Sequence, residues 1–119
     1  MVDVLEPLSP EQREADLQTN LRFIARALRR IEAGEDLEPE LRNLRTFILA
    51  CLEGPEPSKA LVDAADELYR RAHDCAYEQE QDIILDEEPH VSPTHLEAAE
   101  AALVRFQIAL FEADAVRTA

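Results

Sequence analysis

Histidine, cysteine and acidic residues at short spacings are the residues of this sequence that could bind a metal ion. Di-iron helical bundles use a Glu-x-x-His pattern on inward faces, and residues Glu87 to His90 match that spacing. Pro89 interrupts the match, which also falls in a predicted loop. His73 and Cys75 lie two residues apart on a predicted helix, so they point to different faces. We therefore expect no metal site and no cofactor.

Carboxylate pairs three residues apart are a second candidate for chemistry. They are Asp63 with Asp66 and Glu97 with Glu100. Helical nucleotide pyrophosphatases bind magnesium with pairs of this kind, but both pairs lie away from the apolar faces of their helices. Residues 61–119 also contain only four basic residues to bind phosphate. A metal-dependent, pyrophosphatase-like enzyme is therefore the weakest of three hypotheses.

Serine and cysteine offer no catalytic nucleophile. Ser9, Ser58 and Ser92 come just before predicted helices, where a serine side chain caps the first turn. Cys51 and Cys75 fall on predicted buried faces, where reduced thiols pack as small apolar groups. We expect a protein that is not an enzyme.

Four helices are expected to position the remaining candidates. The chain has 119 residues, of which 46% are hydrophobic, and two glycines, which is typical of one globular domain. Helix-start signals and the helix-ending Gly34 and Gly54-Pro55 divide it into four segments with short connections. The sequence predicts an all-α, four-helix up-down bundle of residues 9–117 after an N-terminal tail of residues 1–8. The helices are predicted at about 10–33, 37–53, 59–82 and 93–116.

The chain is strongly acidic. The net charge is −14, and residues 61–119 contain 14 acidic residues against four basic ones. This charge disfavours direct contact with nucleic acid or an anionic membrane and favours a basic partner protein. No long apolar run or signal-like segment is present, so we expect a soluble, cytoplasmic protein. Eleven arginines against one lysine, with abundant alanine, indicate a bacterial or phage source.

The fourth helix has two apolar stripes about 140° apart, at 100° per residue. A helix that is apolar on most sides is either central in its own fold or shared with another chain. A bundle helix has two neighbours, which explains one wide stripe but not two. We therefore expect another protein chain to cover the second stripe, either a second copy in a homodimer or a partner protein. That stripe consists of Ala101, Val104, Ile108, Phe111 and Ala115.

Segment 82–88 places Ile83, Ile84 and Leu85 within a run of acidic residues. The favoured interpretation is a plug that folds back onto the open end of the bundle. The alternative is an exposed docking segment. The acidic side chains around it form a predicted surface that steers a basic partner. They are Glu78, Glu80, Asp82, Asp86, Glu87 and Glu88.

The first helix has a basic strip of Arg22, Arg26 and Arg29, away from its apolar stripe. We expect a solvated face with carboxylates from elsewhere close by. The alternative is a dock for an anion or a carboxylate, which the planar guanidinium group suits.

These features together predict a non-catalytic protein-binding module, such as an adaptor, a chaperone-like protein or an inhibitor. It would act through the second stripe, with the acidic segment beside it. Phe111→Asp is predicted to leave the fold intact and to abolish the complex. The second hypothesis is a phage-type inhibitor that mimics nucleic acid and occupies a basic groove of a DNA- or RNA-handling protein. It predicts binding that weakens steeply with salt.

Overall fold

The computed structural model describes residues 10–52 and 57–118, and these form four α-helices. They are α1 (Pro10–Glu32), α2 (Leu37–Cys51), α3 (Lys59–Ile84) and α4 (Pro93–Thr118). The predicted all-α four-helix bundle is confirmed. Helices α3 and α4 each run two residues beyond their predicted ends. The predicted tail of residues 1–8, the Ser9 cap and the predicted end of the second helix at residue 53 lie outside the described residues.

Capping side chains begin two of the helices as predicted. The Oγ of Ser58 accepts a hydrogen bond from the N–H of Leu61 at 3.1 Å. The Oγ of Ser92 accepts one from the N–H of His95 at 3.4 Å. Each bond satisfies one of the backbone donors that the first helical turn leaves unpaired.

The connection between α1 and α2 depends on left-handed backbone. Gly34 has φ of +78° and ends α1, and the N–H of Glu35 donates back to the carbonyl of Arg30 at 2.9 Å. Asp36 also has positive φ and makes no capping bond to α2. Its carboxylate accepts instead from Arg30 at 3.1 Å. Asp36, although an aspartate directly before α2, therefore does not cap this helix with its side chain.

Contacts between the helices establish the up-down arrangement. Phe23 of α1 stacks on Phe47 of α2 with ring centroids 5.0 Å apart. The Nε2 of Gln79 in α3 donates to the carbonyl of Ile31 at 2.6 Å. The carboxyl ends of α1 and α3 therefore lie together, at the end of the bundle where α4 begins.

The core is aliphatic, with Phe106 as its one fully buried aromatic ring among the described residues. Burial of these side chains is the main favourable term in folding. The two cysteines belong to this core, as expected. Burial raises the pKa of the Cys51 thiol to about 11. Burial, with smaller contributions from nearby carboxylates, raises that of Cys75 to about 12.

The contact between α1 and α4 is the most open side of the bundle. Helix α1 packs closely on α2, and α3 on α4, while α1 contacts α3 across the bundle more than it contacts α4. Helix α4 therefore lies at a corner, with one full side turned away from the core. No helix in the described ranges combines the length and the apolarity that a membrane span requires.

Candidate functional site

The second apolar stripe of α4 lies on the solvent side of that helix. The exposed fractions are 51% for Val104, 53% for Ile108 and 36% for Phe111, and Ala101 is also exposed. The side chain of Ala115 lies outside the described part of the chain. By contrast, Leu103 and Leu110 of the first stripe are buried. One chain therefore covers only one of the two stripes.

A groove of about 590 Å³ runs between α1 and α4. Leu21 and Ala25 form its α1 wall, and Ile108 and Phe111 form its α4 wall. The groove exists because α1 lies closer to α3 than to α4 and because Ala25 is small. We call it the α1–α4 groove. Its exposed lining is mostly apolar, and the polar residues that also line it are Gln18, Arg22, Gln107 and Glu112.

Arginines continue this groove along α1. A second groove of about 540 Å³ shares Arg22 and Ala25 with the first and extends past Arg26 and Arg29. Arg29 contacts Glu100 at 3.3 Å. Arg22 and Arg26 are exposed, and neither forms an ion pair or hydrogen bond with a described residue. The expected neighbouring carboxylates are therefore found for Arg29 but not for these two cations.

Residues 83–88 project from the carboxyl end of α3, and we call them the acidic–aliphatic tip. The exposed fractions of Ile83, Ile84 and Leu85 range from 56% to 73%. The plug interpretation is therefore wrong. The chain turns away at Asp86, whose φ of 58° is left-handed, before these side chains can reach the core. The exposed segment is the interpretation that matches the structure.

Asp82 does not belong to the acidic surface, contrary to expectation. Its exposed fraction is only 8%. Its Oδ2 accepts from the backbone N–H of His90 at 3.1 Å and lies 2.8 Å from the Nδ1 of the same residue. The carboxylate therefore holds the α3–α4 loop in place rather than facing a partner.

Glu78 is also used inside the fold. One carboxylate oxygen accepts a hydrogen bond from the N–H of Ser92, and the other lies 3.1 Å from the Nδ1 of His95. Two of the six acidic residues predicted to form the acidic surface, Glu78 and Asp82, are thus engaged at the α3–α4 loop. The acidic residues here that remain exposed are Glu80, Asp86, Glu87 and Glu88.

The sequence reasoning missed a carboxyl pair between α1 and α4. The pKa of Glu32 is raised to about 7. Burial is the largest cause, followed by a hydrogen bond with Glu100 and by repulsion from the negative charge of Glu100. The Oε2 atoms of Glu32 and Glu100 are buried without another hydrogen-bond partner. Protonation of Glu32 allows its carboxyl group to donate a hydrogen bond to Glu100, which a pair of ionised carboxylates cannot make. No local pattern signals this pair, because its members lie on helices distant in sequence.

One of the two pairs that suggested magnesium chemistry is occupied by bases of its own helix, and Glu100 of the other pair contacts Arg29 of α1. Asp63 contacts Lys59 at 3.1 Å, and Asp66 contacts Arg70. Within residues 10–52 and 57–118, no three metal-binding side chains come together. His73 is exposed on the opposite side of α3 from the buried Cys75, as their spacing predicts.

The α1–α4 groove and the acidic–aliphatic tip are thus two candidate binding surfaces. They lie apart on the molecule. Ile108 is 15 residues into α4, about 22 Å from Pro93 at 1.5 Å per residue, while the tip lies just before Pro93. No protein-family model, curated protein or solved structure matches this chain.

Proposed function

We propose that this chain is a non-catalytic protein-binding module of the cytoplasm, in an adaptor, chaperone-like or inhibitor role. The α1–α4 groove and the adjoining stripe of α4 are its main binding face. One observation carries the proposal: Val104, Ile108 and Phe111 form a row of exposed apolar side chains beside an apolar groove. Contiguous apolar patches on a protein surface mark interaction sites more often than isolated apolar residues do.

The charges around the groove favour a particular kind of partner. Arg22 and Arg26 border the apolar walls with no ion pair to a described residue. A partner segment with aliphatic side chains followed by carboxylates would bury the first and pair the second. A basic partner, which the net charge favours, suits the acidic–aliphatic tip better than this groove.

Ile108→Asp tests the binding face. The native protein and the variant are used as baits in the host lysate, and the retained proteins are compared by mass spectrometry. A carboxylate placed in an apolar contact loses several kcal/mol of solvation, so we expect retention of the true partner to fall more than tenfold. Circular dichroism and thermal unfolding of both baits confirm that the fold is unchanged.

Leu49→Asp is the matched control, because Leu49 is a similarly exposed apolar residue on α2, outside the groove. It is expected to retain the same proteins as the native bait. If Ile108→Asp retains every protein that the native bait retains, the α1–α4 face is not the binding site and the proposal is wrong.

A further inference from the structure

We propose that the segment which binds the α1–α4 groove is the acidic–aliphatic tip of a second copy of this chain. Each protomer inserts residues 83–88 into the groove of the other, which gives a two-fold dimer. This inference rests on the proposed function, because it names the partner of the same groove.

The two surfaces match in apolar character. The tip offers Ile83, Ile84 and Leu85, all more than half exposed. The groove offers the apolar walls that include Leu21 and Ile108. Each surface leaves apolar area in water on the isolated chain, and their contact would remove both areas from water at once.

The two surfaces also match in charge. Glu87 and Glu88 follow the aliphatic residues of the tip, are exposed, and form no side-chain ion pair with a described residue. Arg22 lines the α1–α4 groove, as does Glu112, and Arg26 lies just beyond it. Neither arginine forms an ion pair with a described residue. An aliphatic-then-acidic segment therefore meets an apolar-then-basic groove in the same order. Contact between protomers would pair carboxylates with guanidinium groups.

The match can be made only between two chains. The tip lies next to the start of α4, whereas Ile108 and Phe111 are 15 and 18 residues into that helix, about 22–27 Å away along its axis. In an antiparallel pair the start of one α4 lies beside the later part of the other. Each tip then reaches the groove of the other protomer, and the assembly closes as a dimer.

The area of these surfaces also favours a dimer that buries the tip and the groove together with the α4 stripe. A whole aromatic side chain buries roughly 150–250 Å². The exposed apolar residues of the α4 stripe are 36–53% exposed, so even three side chains of that size would supply at most roughly 400 Å². A stable interface buries roughly 800 Å² on each partner. Contact between two stripes alone falls short of that area. The addition of a tip and a groove on each protomer brings the contact toward it.

Charge exchange tests the pairing directly. Arg22→Glu with Arg26→Glu alters only the groove, and Glu87→Arg with Glu88→Arg alters only the tip. We expect the native chain to sediment as a dimer and each double variant to dissociate at least tenfold more readily. An equimolar mixture of the two variants is expected to regain dimer, because each altered groove then meets an altered tip of opposite charge.

The tip variant separates local pairing from general repulsion. It is four units less negative than the native chain, whose net charge is −14. If only overall repulsion controlled association, this variant would dimerise more strongly than the native chain. The proposed pairing predicts that it dimerises more weakly. Ile84→Ser is expected to weaken the dimer through the apolar contact, while Leu49→Ser, outside both surfaces, leaves it unchanged.

Two outcomes would overturn the inference. A native chain that stays monomeric at millimolar concentration leaves the groove to another protein. A dimer that the groove variant abolishes but the tip variants do not affect places one stripe against the other. Neither outcome affects the proposed function, which fails separately if Ile108→Asp leaves capture from the host lysate unchanged.

Discussion

Glu32 and Glu100 each place one carboxylate oxygen in a buried position between α1 and α4, at the end of the bundle where the α3–α4 loop lies. The pKa of Glu32 is raised from an ordinary value of 4.5 to about 7, first by burial and then by Glu100. Between these pH values the folded protein binds a proton that the unfolded chain releases. The contribution of this pair to the free energy of unfolding therefore decreases as the pH rises from about 4.5 through about 7.

Glu32→Gln is predicted to raise the melting temperature at pH 8 and to change it little at pH 5. The amide cannot ionise, so the variant avoids two adjacent negative charges at the higher pH. Thermal unfolding followed by circular dichroism measures the effect. Glu38→Gln is the control, because the side chain of Glu38 is 85% exposed. An equal shift for both variants at pH 8 would show that the buried pair has no special role.

Asp82 is the second residue whose environment gives a specific expectation. Asp82→Ala leaves the backbone N–H of His90 without its acceptor, which costs about 1–3 kcal/mol of the free energy of unfolding. Urea denaturation measures this loss. Glu80→Ala, two residues away and exposed, is expected to change the free energy by no more than about 0.5 kcal/mol. Similar values for the two variants would contradict a structural role for Asp82.

At the scale of elements, the end of α1 depends on Gly34. A Cβ at this position would lie 2.6 Å from the Oε1 of Gln79, and the φ of +78° disfavours side chains. Gly34→Ala is predicted to lower the free energy of unfolding by at least about 1–2 kcal/mol, measured in urea. Gly34→Asn carries the same Cβ but tolerates left-handed backbone better, so its loss is expected to be smaller. Equal losses would show that the contact with Gln79, not φ, decides the cost.

The sequence was sufficient to predict those features of the fold that depend on local interactions. Ser58 and Ser92 cap helices, Gly34 ends one, and the spacing of leucines and isoleucines defines the buried faces. The second stripe of α4 was also visible in the sequence, because it depends on periodicity alone. These features place the four helices and one wall of the groove.

The sequence was insufficient to predict those features that depend on how one helix packs against another. The α1–α4 groove depends on how closely α1 approaches α3, and the Glu32–Glu100 pair joins residues far apart in the chain. The direction of the tip follows from the left-handed turn at Asp86, and aspartate there also allows other conformations. The plug interpretation was wrong for that reason.

At the scale of the whole molecule, the net charge of −14 sets the response to salt. Salt weakens the repulsion between two acidic protomers and also weakens the arginine–carboxylate contacts proposed between them. We predict that the dimerisation constant changes less than tenfold between 50 and 500 mM salt, measured by sedimentation. A nucleic-acid mimic would lose far more affinity for its basic target, of the order of a thousandfold. A loss of that size in the affinity for a basic target protein would favour the acidic surface, and not the groove, as the binding site.

The two thiols of the chain are both enclosed in the core, and their pKa values of about 11 and about 12 keep them protonated near neutrality. Thiol reagents react with the thiolate, so the native chain is expected to give almost no labelling background. A single Glu80→Cys substitution, at an exposed position one helical turn before the tip, would then carry a fluorophore without prior removal of Cys51 or Cys75. The environment of that dye would show directly, at any protein concentration, whether the tip is in water or inside another molecule.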